Sequence, residues 1–345
     1  MTHPIVCFGE LLLRLSAPGR ELLLQRPALD VRVGGAEANV AVSLARFGHA
    51  VELLGTVADN ALGDAALGEL RRHGVRVERM RRASGRMGLY FLAQGAGLRP
   101  SEVLYDRAGS AFASAPAQAY DWPRLLQHAR LFHVSGVTPA LGRTTADAAI
   151  DAARTAREAG ALVSFDGNFR AKLWAAWEGD PAAILHALID QTALAFADHR
   201  DIAVVLGEDG SDSDDDALVE PAARFAAAAA RAFNAFPRLQ RIATTVRTQH
   251  NVDDHSMSAL MATRDGALHA TPTRPLHGIV DRIGAGDAFA AGVLHGLLTG
   301  MRDDDSLAFG LAAACLKHSQ PGDFHLSSAD DVLALVRNDR LDVKR

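Results

Sequence analysis

The residues best suited to chemistry in this chain lie in one short stretch, DRIGAGDAF at positions 281–289. A helical pattern of apolar residues follows from Phe289 to Leu298. Gly284 and Gly286 allow a tight turn and leave backbone N–H groups uncovered where the helix begins, a place that favours a bound anion. Asp287 lies in the first turn, close to whatever that anion is attached to. A phosphate cradle beside a carboxylate indicates phosphoryl transfer to a hydroxyl group.

Other interpretations of this stretch are weaker. Asp287 could simply cap a helix and the glycines could simply make a turn. The phosphate-binding pattern G-x-x-x-x-G-K-[ST] is absent from the sequence. The dinucleotide pattern fails because Phe289 takes its sixth position and no strand-to-helix unit at the start of the chain carries those glycines, which disfavours a nicotinamide dehydrogenase.

A second glycine pair, Gly34-Gly35, precedes a predicted helix over residues 38–47 that Gly48 ends. These glycines also offer bare N–H groups before a helix. A plain loop leading into a core helix explains them equally well.

The chain from residue 131 onward alternates predicted strands and helices, which indicates a parallel sheet with helices on both faces. Ligands bind in such folds where strands end. Polar residues stand at these points, namely Ser135, Asp166, Asn168, Arg170 and Asp198.

Two segments, about 11–33 and 87–107, break the alternation and predict a small sheet outside the main fold. Such a sheet would cover a site as a lid. Tyr90, Tyr105 and Arg107 lie on it, although tyrosine is also an ordinary strand residue. Exposed sheet edges need cover, so we expect a homo-oligomer that pairs through the lid.

Bulk properties narrow the class of protein. The formal net charge of −5 gives no basic field for nucleic acid. Cys7 and Cys315 are too few for a disulfide scaffold and fit a reducing compartment. There is no signal-peptide pattern and no apolar run of about 18 residues, so we expect no membrane association and a cytoplasmic location. The acidic run at 208–216 lacks the spacing of a calcium loop and predicts a solvated loop.

The order and spacing of these motifs resemble the ribokinase-like sugar kinases of the PfkB family over essentially the whole chain. The family motif usually has Thr where this chain has Arg282. Within the family the chain is most similar to the 2-keto-3-deoxygluconate kinases. The pieces that carry this similarity are Gly34-Gly35, Tyr90, YDR at 105–107, DGNFR at 166–170 with LW at 173–174, LKH at 316–318 and PGDF at 321–324.

The resemblance implies one three-layer α/β kinase domain over 1–345, with a mostly parallel central sheet, helices on both sides and the small β-sheet lid. It implies ATP and Mg²⁺ as cofactors, Asp287 as the base, and the N–H groups of Gly284, Ala285 and Gly286 as the anion site. The implied acceptor-binding residues are Gly34, Gly35, Asn39, Tyr90, Tyr105, Arg107, Arg170 and Asp287. The implied nucleotide-binding residues are Asp198, Thr245, Val246, Arg247, Gly284, Gly286, Ala314, Lys317 and His318.

One departure from the family pattern concerns the metal. The family often carries Asn-x-x-Glu for magnesium and phosphate, and the counterpart here is Asp198-His199-Arg200-Asp201. Oxygen ligands remain, so the resemblance implies Asp201 as a metal ligand with altered geometry.

The function implied is ATP-dependent phosphorylation of 2-keto-3-deoxygluconate to 2-keto-3-deoxy-6-phosphogluconate, for an Entner–Doudoroff-type route. Two arginines in the acceptor site favour an acidic sugar over a neutral one. A fructokinase, a 5-keto-2-deoxygluconate kinase and a non-catalytic sugar-acid sensor remain as alternatives. The intact GAGD stretch argues against the sensor, because a sensor needs no base.

Overall fold

The computed structural model describes residues 3–208 and 220–337. The acidic run predicted as a loop lies outside the described residues, apart from Glu208. Within those residues the main sheet has nine strands, in the order β4-β1-β9-β10-β11-β12-β13-β14 with β15 beside β13. They are β1 (Ile5–Phe8), β4 (Val51–Leu54), β9 (Leu131–Ser135), β10 (Leu162–Asp166), β11 (Leu194–Phe196), β12 (Arg241–Gln249), β13 (His255–Thr263), β14 (Leu268–Ala270) and β15 (Arg274–Leu276).

Within this sheet, the neighbouring strands β4, β1, β9, β10, β11 and β12 run parallel to one another. Strands β13, β14 and β15 extend the sheet in antiparallel orientation. Strand β1 shows why helices cover both faces. Ile5 and Cys7 join one apolar core, whereas Val6 and Phe8 join the other. Because successive side chains of a strand point to opposite faces, a strand that is apolar throughout must be buried on both sides.

Helices form a layer on each face of the sheet, as the sequence predicts. One apolar core joins the sheet to α1 (Ala36–Arg46), α2 (Ala61–Arg72), α9 (Ala285–Leu298), α10 (Asp303–Lys317) and α11 (Ala329–Val336). The other joins it to α3 (Trp122–Leu126), α4 (Arg143–Glu158), α5 (Ala171–Trp174), α6 (Pro181–Ile189), α7 (His199–Val205) and α8 (Pro221–Ala235). In the described part of the chain, no helix combines the length and the apolar character needed to cross a bilayer.

The predicted small sheet is present. It consists of β2 (Leu12–Ser16), β3 (Asp30–Gly34), β7 (Gly88–Ala93) and β8 (Glu102–Asp106) in the order β3-β2-β7-β8, and we call it the lid sheet. Strand β5 (Thr56–Ala58), which follows β4 in the chain, leaves the main sheet and pairs with β6 (Arg81–Ala83).

Helix α9, which follows the DRIGAGDAF stretch, is firmly held. A Cβ added to Gly292 would lie 2.7 Å from the Cα of Gly310 on α10, so the two helices approach more closely than larger side chains would allow. Dense packing of this kind leaves the start of α9 little freedom to shift. The fold thereby provides a rigid base for the residues that precede the helix.

Candidate active site

A cavity of about 670 Å³ lies between the carboxyl ends of the parallel strands, the starts of α1 and α9, and the lid sheet. Ligands are expected at this edge of such a sheet. The structure brings together most of the residues that the sequence singled out. Those lining the cavity are Gly35, Asn39, Tyr90, Tyr105, Arg107, Arg170, Asp198, Asp201, Thr245, Arg247, Gly284, Ala285, Gly286, Asp287 and His318.

Gly284 forms the turn at the start of α9. Its φ of 82° is left-handed, and an added Cβ would lie 1.9 Å from the carbonyl oxygen of Asp323. Only glycine meets both constraints without strain. The amide groups of the first turn have no acceptor within the helix, so they and the helix dipole offer a site for an anion.

Asp287 lies in that first turn and is buried, with 8% of its surface exposed. Its Oδ2 accepts a hydrogen bond of 2.7 Å from the side-chain Nδ2 of Asn39 on α1. Burial raises the pKa of Asp287 to about 7; the bond from Asn39 opposes the rise, and Glu37 and Asp323 add to it. A carboxylate with a pKa near neutrality is well placed to accept a proton from a substrate.

Asn39 has one further polar atom available. Its Oδ1 is buried and has no hydrogen-bond partner among the described residues. Since Nδ2 donates to Asp287, Oδ1 is free to accept a hydrogen bond from a ligand hydroxyl. A buried acceptor without a partner is costly unless a ligand satisfies it.

Further carboxylates surround Asp287. Burial, followed by the charges of Asp287 and Asp201, raises the pKa of Asp166 well above its usual value, and Arg170 opposes that rise. Arg170 also lowers the pKa of Asp287. Its side chain makes no hydrogen bond or ion pair with any other residue in ranges 3–208 and 220–337. This guanidinium is therefore free to bind an anionic group beside the candidate base.

Arg107 reaches the cavity from the end of β8, but it is already oriented by a protein carboxylate. Its Nε donates to Oε2 of the buried Glu10 at 2.6 Å, and Ser110 donates to the other carboxylate oxygen. Glu10 follows β1 and was not singled out from the sequence. The terminal nitrogens of Arg107 keep N–H groups for a ligand, because this bond uses Nε alone.

A buried ion network ties the lid sheet to the anion site. Arg14 on β2 contacts Oδ2 of Asp281 at 2.7 Å and Oδ1 of Asp323 at 3.0 Å. Tyr90 on β7 donates its hydroxyl to the other oxygen of Asp323 at 2.7 Å. Asp281 also accepts the backbone N–H of Ile283 at 3.0 Å. Sequence reasoning did not single out Arg14, although an arginine in an apolar strand is a signal of a buried partner.

Five predicted site residues do not line the cavity. One is Ser135, which is fully buried and donates its hydroxyl to Oε1 of Glu37 at 2.7 Å. Gly34 ends β3, and an added Cβ would lie 2.2 Å from Oδ2 of Asp323. Val246 packs against the core on the other face of the sheet, and Ala314 is fully buried in α10. Lys317 is also fully buried, and its ammonium donates to the carbonyl oxygens of Gln320 at 2.9 Å and Asp281 at 3.3 Å. The structure therefore places Lys317 behind the anion site.

Asp198 and Asp201 form a capping box at the start of α7. The two oxygens of Asp201 accept backbone N–H groups of Phe169 at 3.3 Å and Asp198 at 3.2 Å. Burial, then the charge of Asp198, raises the pKa of Asp201 to about 6. No group of three or more metal-binding side chains is gathered in the portion of the chain that the structure describes.

A second cavity, of about 520 Å³, lies at the opposite edge of the sheet. It is lined by the first residues of four parallel strands, Leu131, Leu162, Leu194 and Arg241, and by the end of α9. The start of α10 borders it, but the carboxylate there, Asp303, is partly exposed and paired with Arg241 at 2.8 Å. The chemistry therefore belongs to the carboxyl ends of the strands.

Comparison with known proteins identifies the family of the chain. The model of the pfkB family carbohydrate kinases matches residues 2–329, and the chain belongs to this family. The resemblance seen in the sequence motifs is thereby confirmed, and the protein is a phosphotransferase with an alcohol acceptor.

Three relatives span nearly the full chain. A 2-dehydro-3-deoxygalactonokinase of Haloferax volcanii is 33% identical over 98% of this chain and 98% of its own length. A 2-dehydro-3-deoxygluconokinase of Bacillus subtilis is 29% identical over 92% of this chain and 90% of its own. The crystal structure of a 2-dehydro-3-deoxygluconokinase from Thermotoga maritima is 37% identical and covers 97% of this chain and 99% of that chain, with a TM-score of 0.88.

Proposed function

We propose that this protein phosphorylates 2-keto-3-deoxygluconate (2-dehydro-3-deoxygluconate) with ATP, giving the 6-phospho product and ADP. The single observation that carries the proposal is the buried Asp287 carboxylate, which lies within the first turn of the helix whose N–H groups form the anion site. Base and anion site are thus adjacent, as transfer of a phosphoryl group to a hydroxyl requires.

The chemical step follows from this geometry. Asp287 takes the proton of the acceptor hydroxyl, and that oxygen forms a bond to the γ-phosphorus as the bond to the β-phosphate oxygen breaks. ADP leaves with the electron pair. The amides from Gly284 to Gly286 stabilise the charge on the transferring group, and the pKa of Asp287 near 7 suits proton transfer at neutral pH.

The acceptor end of the cavity favours an acidic sugar. Arg170 lacks a direct protein partner in the described ranges, and Arg107 is held by Glu10 with its terminal nitrogens unused. Two guanidinium groups that approach from a strand end and from the lid sheet can bind a carboxylate in a bidentate manner. A neutral sugar would leave the guanidinium of Arg170 without an anionic partner, which disfavours a fructokinase.

A second acceptor deserves the same test, because one relative of 33% identity is named a 2-dehydro-3-deoxygalactonokinase. Both acids carry the same carboxylate and the same terminal hydroxyl. Discrimination between them rests on hydrogen bonds to the intervening hydroxyls, for which the free Oδ1 of Asn39 is one acceptor. A 5-keto-2-deoxygluconate kinase and a non-catalytic sensor are the remaining alternatives.

Magnesium would accompany the nucleotide. Carboxylate oxygens suit this hard cation, and Asp166, Asp198 and Asp201 bring them to the cavity. The charge of Asp201 lies close enough to raise the pKa of Asp166, and a cation would relieve that repulsion. When bound, Mg²⁺ would neutralise phosphate charge. Asp201 is the residue that we propose to face it, beside the phosphates and water molecules that would complete its coordination.

We treat the chain as one kinase domain with a lid at 11–33 and 87–107. Strands β3 and β8 are the two edges of the lid sheet, and Val31 and Leu104 on them are 59% and 46% exposed. Such apolar edges favour pairing with a second copy. ATP as donor and two free cysteines support a cytoplasmic location.

The test is a coupled assay of ADP release with Mg²⁺, ATP and a panel of acceptors. Rapid turnover of 2-keto-3-deoxygluconate, with far slower turnover of fructose and ribose, is expected. The galactonate epimer belongs in the panel as the second candidate. Faster turnover of a neutral sugar would overturn the assignment to sugar acids, and no turnover with any acceptor would favour the sensor.

A further inference from the structure

Two arginines that line the cavity have no role in the acceptor site. Arg247 lies at the end of β12, and Arg282 lies two residues before Gly284 in the turn that leads to α9. Both line the same cavity as Asp287. Arg282 stands where the family motif usually has Thr, and sequence reasoning gave it no function.

The two guanidinium groups lie near each other and near further positive charge. Partial burial, and then the charges of Arg282, Arg200 and Arg170, lower the pKa of Arg247. The same two arginines contribute to lowering the pKa of the buried His255, after burial itself. Arg200 is paired with Asp198 at 2.6 Å. The positive charge that lacks a protein counter-charge therefore belongs to Arg247, Arg282 and Arg170.

No protein anion balances the pair. In the described ranges, the side chain of neither Arg247 nor Arg282 forms an ion pair or a hydrogen bond with another residue. This differs from Arg14 and Arg107, which line or border the same cavity and are each bound to buried carboxylates. Like charges near each other repel, and a ligand with several negative charges would relieve that repulsion.

We infer that Arg247 and Arg282 form a clamp for the polyphosphate chain of the nucleotide. The inference rests on the proposed function, which supplies ATP as the phosphoryl donor. Arg282 precedes the anion site and would contact the phosphates next to the transferring group. Arg247 lies at the exposed rim of the cavity and would contact the same chain from the β12 side. The planar guanidinium fork suits phosphate oxygens.

The clamp makes binding depend on the number of phosphates. A triphosphate can meet both guanidinium groups, whereas a monophosphate cannot reach the anion site and both arginines at once. Affinity of the protein should therefore rise from AMP to ADP to ATP. The arginines should account for most of that rise, since hydrogen bonds between charged groups are the strong ones.

The experiment is calorimetric titration of ATP, ADP and AMP into the full chain without any acceptor, for the wild type, R247Q, R282Q and R282K. R154Q is the matched control, because Arg154 is an exposed arginine of α4 whose side chain pairs with Asp151. Each glutamine variant should weaken ATP binding by about 10- to 100-fold and AMP binding by less than about 3-fold. R282K should recover part of the loss, and R154Q should match the wild type.

The titration distinguishes failure of the clamp proposal from failure of the proposed kinase function. Equal losses for ATP and AMP, or unchanged ATP affinity in both glutamine variants, would overturn the clamp alone. A wild type that binds no nucleotide would overturn the clamp together with the kinase proposal. An unexpected acceptor in the activity panel would leave the nucleotide titration unaffected. Melting temperatures of the variants identify any loss that comes from misfolding.

Discussion

Asn39 and Asp287 stand 248 positions apart in the chain, yet the amide Nδ2 of one donates to the carboxylate Oδ2 of the other at 2.7 Å. The bond joins the start of α1 to the start of α9, two helices that lie on the same face of the sheet. It orients the candidate base toward the cavity. It also favours the charged form of a carboxylate that burial alone would keep protonated.

Replacing Asp287 by Asn removes the base and keeps the shape of the side chain. Because general base catalysis contributes about 10²- to 10⁴-fold, kcat should fall by that factor while affinity for ATP changes little. Steady-state kinetics and nucleotide titration check the two parts. If kcat stays near the wild-type value, Asp287 is not the base.

The same substitution should stabilise the protein at alkaline pH. The pKa of Asp287 is about 7 in the folded state, against an ordinary value of 3.8 that applies to the unfolded chain. Between these two pH values, the folded protein therefore holds a proton on Asp287 that the unfolded chain has lost. Stability that comes from this group is therefore present at low pH and lost as pH rises through about 7. Asp287→Asn removes that loss, and we expect a gain on the order of 1–3 kcal/mol at pH 8 by denaturant unfolding, with no gain at pH 4.

The pH dependence of activity tests the bond from Asn39. The proton on Asp287 must be lost before it can act, so kcat/KM should rise with pH through about 7 in the wild type. Asn39→Ala removes a donor to the charged carboxylate. The midpoint of this rising limb of the pH profile should therefore move upward by about 1–2 pH units. Asn39→Ala also removes an acceptor for the substrate, which changes KM but not the position of the limb. An unmoved limb would mean that the observed ionisation belongs to another group.

The carboxylate of the acceptor should depend on Arg170 and Arg107. Loss of one partner from a closed charge pair costs roughly 2–5 kcal/mol, so Arg170→Ala or Arg107→Ala should lower kcat/KM for the keto acid by about thirtyfold to a few thousandfold. A substrate analogue without the carboxylate should respond far less to Arg170→Ala. Arg107→Ala also leaves Glu10 buried without its cation, so Arg107→Lys is the matched variant that keeps this charge. If kcat/KM falls by the same factor for both substrates, the arginines stabilise the fold or bind the nucleotide phosphates and do not bind the acceptor carboxylate.

Closure of the lid sheet is testable by hydrogen exchange. Tyr90, Tyr105 and Arg107 line the cavity from strands β7 and β8, so binding of the sugar acid should slow exchange across residues 87–107. Helix α4 is a control within the same molecule, because it packs on the other face of the sheet. Unchanged exchange in the lid sheet at saturating sugar acid would show that these strands do not close over the ligand.

The exposed edges of the lid sheet should mediate self-association. Light scattering after size-exclusion chromatography should give a dimer or larger assembly for the wild type. Leu104→Asp on the edge strand should shift it toward the monomer, because a charge at an apolar pairing edge is unfavourable. Leu268→Asp, at a similarly exposed leucine on β14, is the control. A monomeric wild type would contradict pairing through the lid.

The sequence by itself determined the layers of this fold and the nature of its central motif. Strand and helix periods are local properties, so the parallel sheet, the flanking helices and the separate lid sheet follow from patterns a few residues long. The Gly284-Ala285-Gly286-Asp287 turn is equally local, since glycine geometry, helix start and carboxylate lie next to one another. These features also sufficed to recognise the kinase family.

Only the tertiary structure decided which charges meet. Glu10 binds Arg107, Arg14 joins Asp281 to Asp323, and Lys317 turns behind the anion site although its neighbour His318 lines the cavity. Arg247 and Arg282 emerge as unpaired only when all their neighbours in the described chain are known. The physical reason is that the energy of a buried charge depends on partners that distant segments bring within a few ångströms, and no local pattern records that distance.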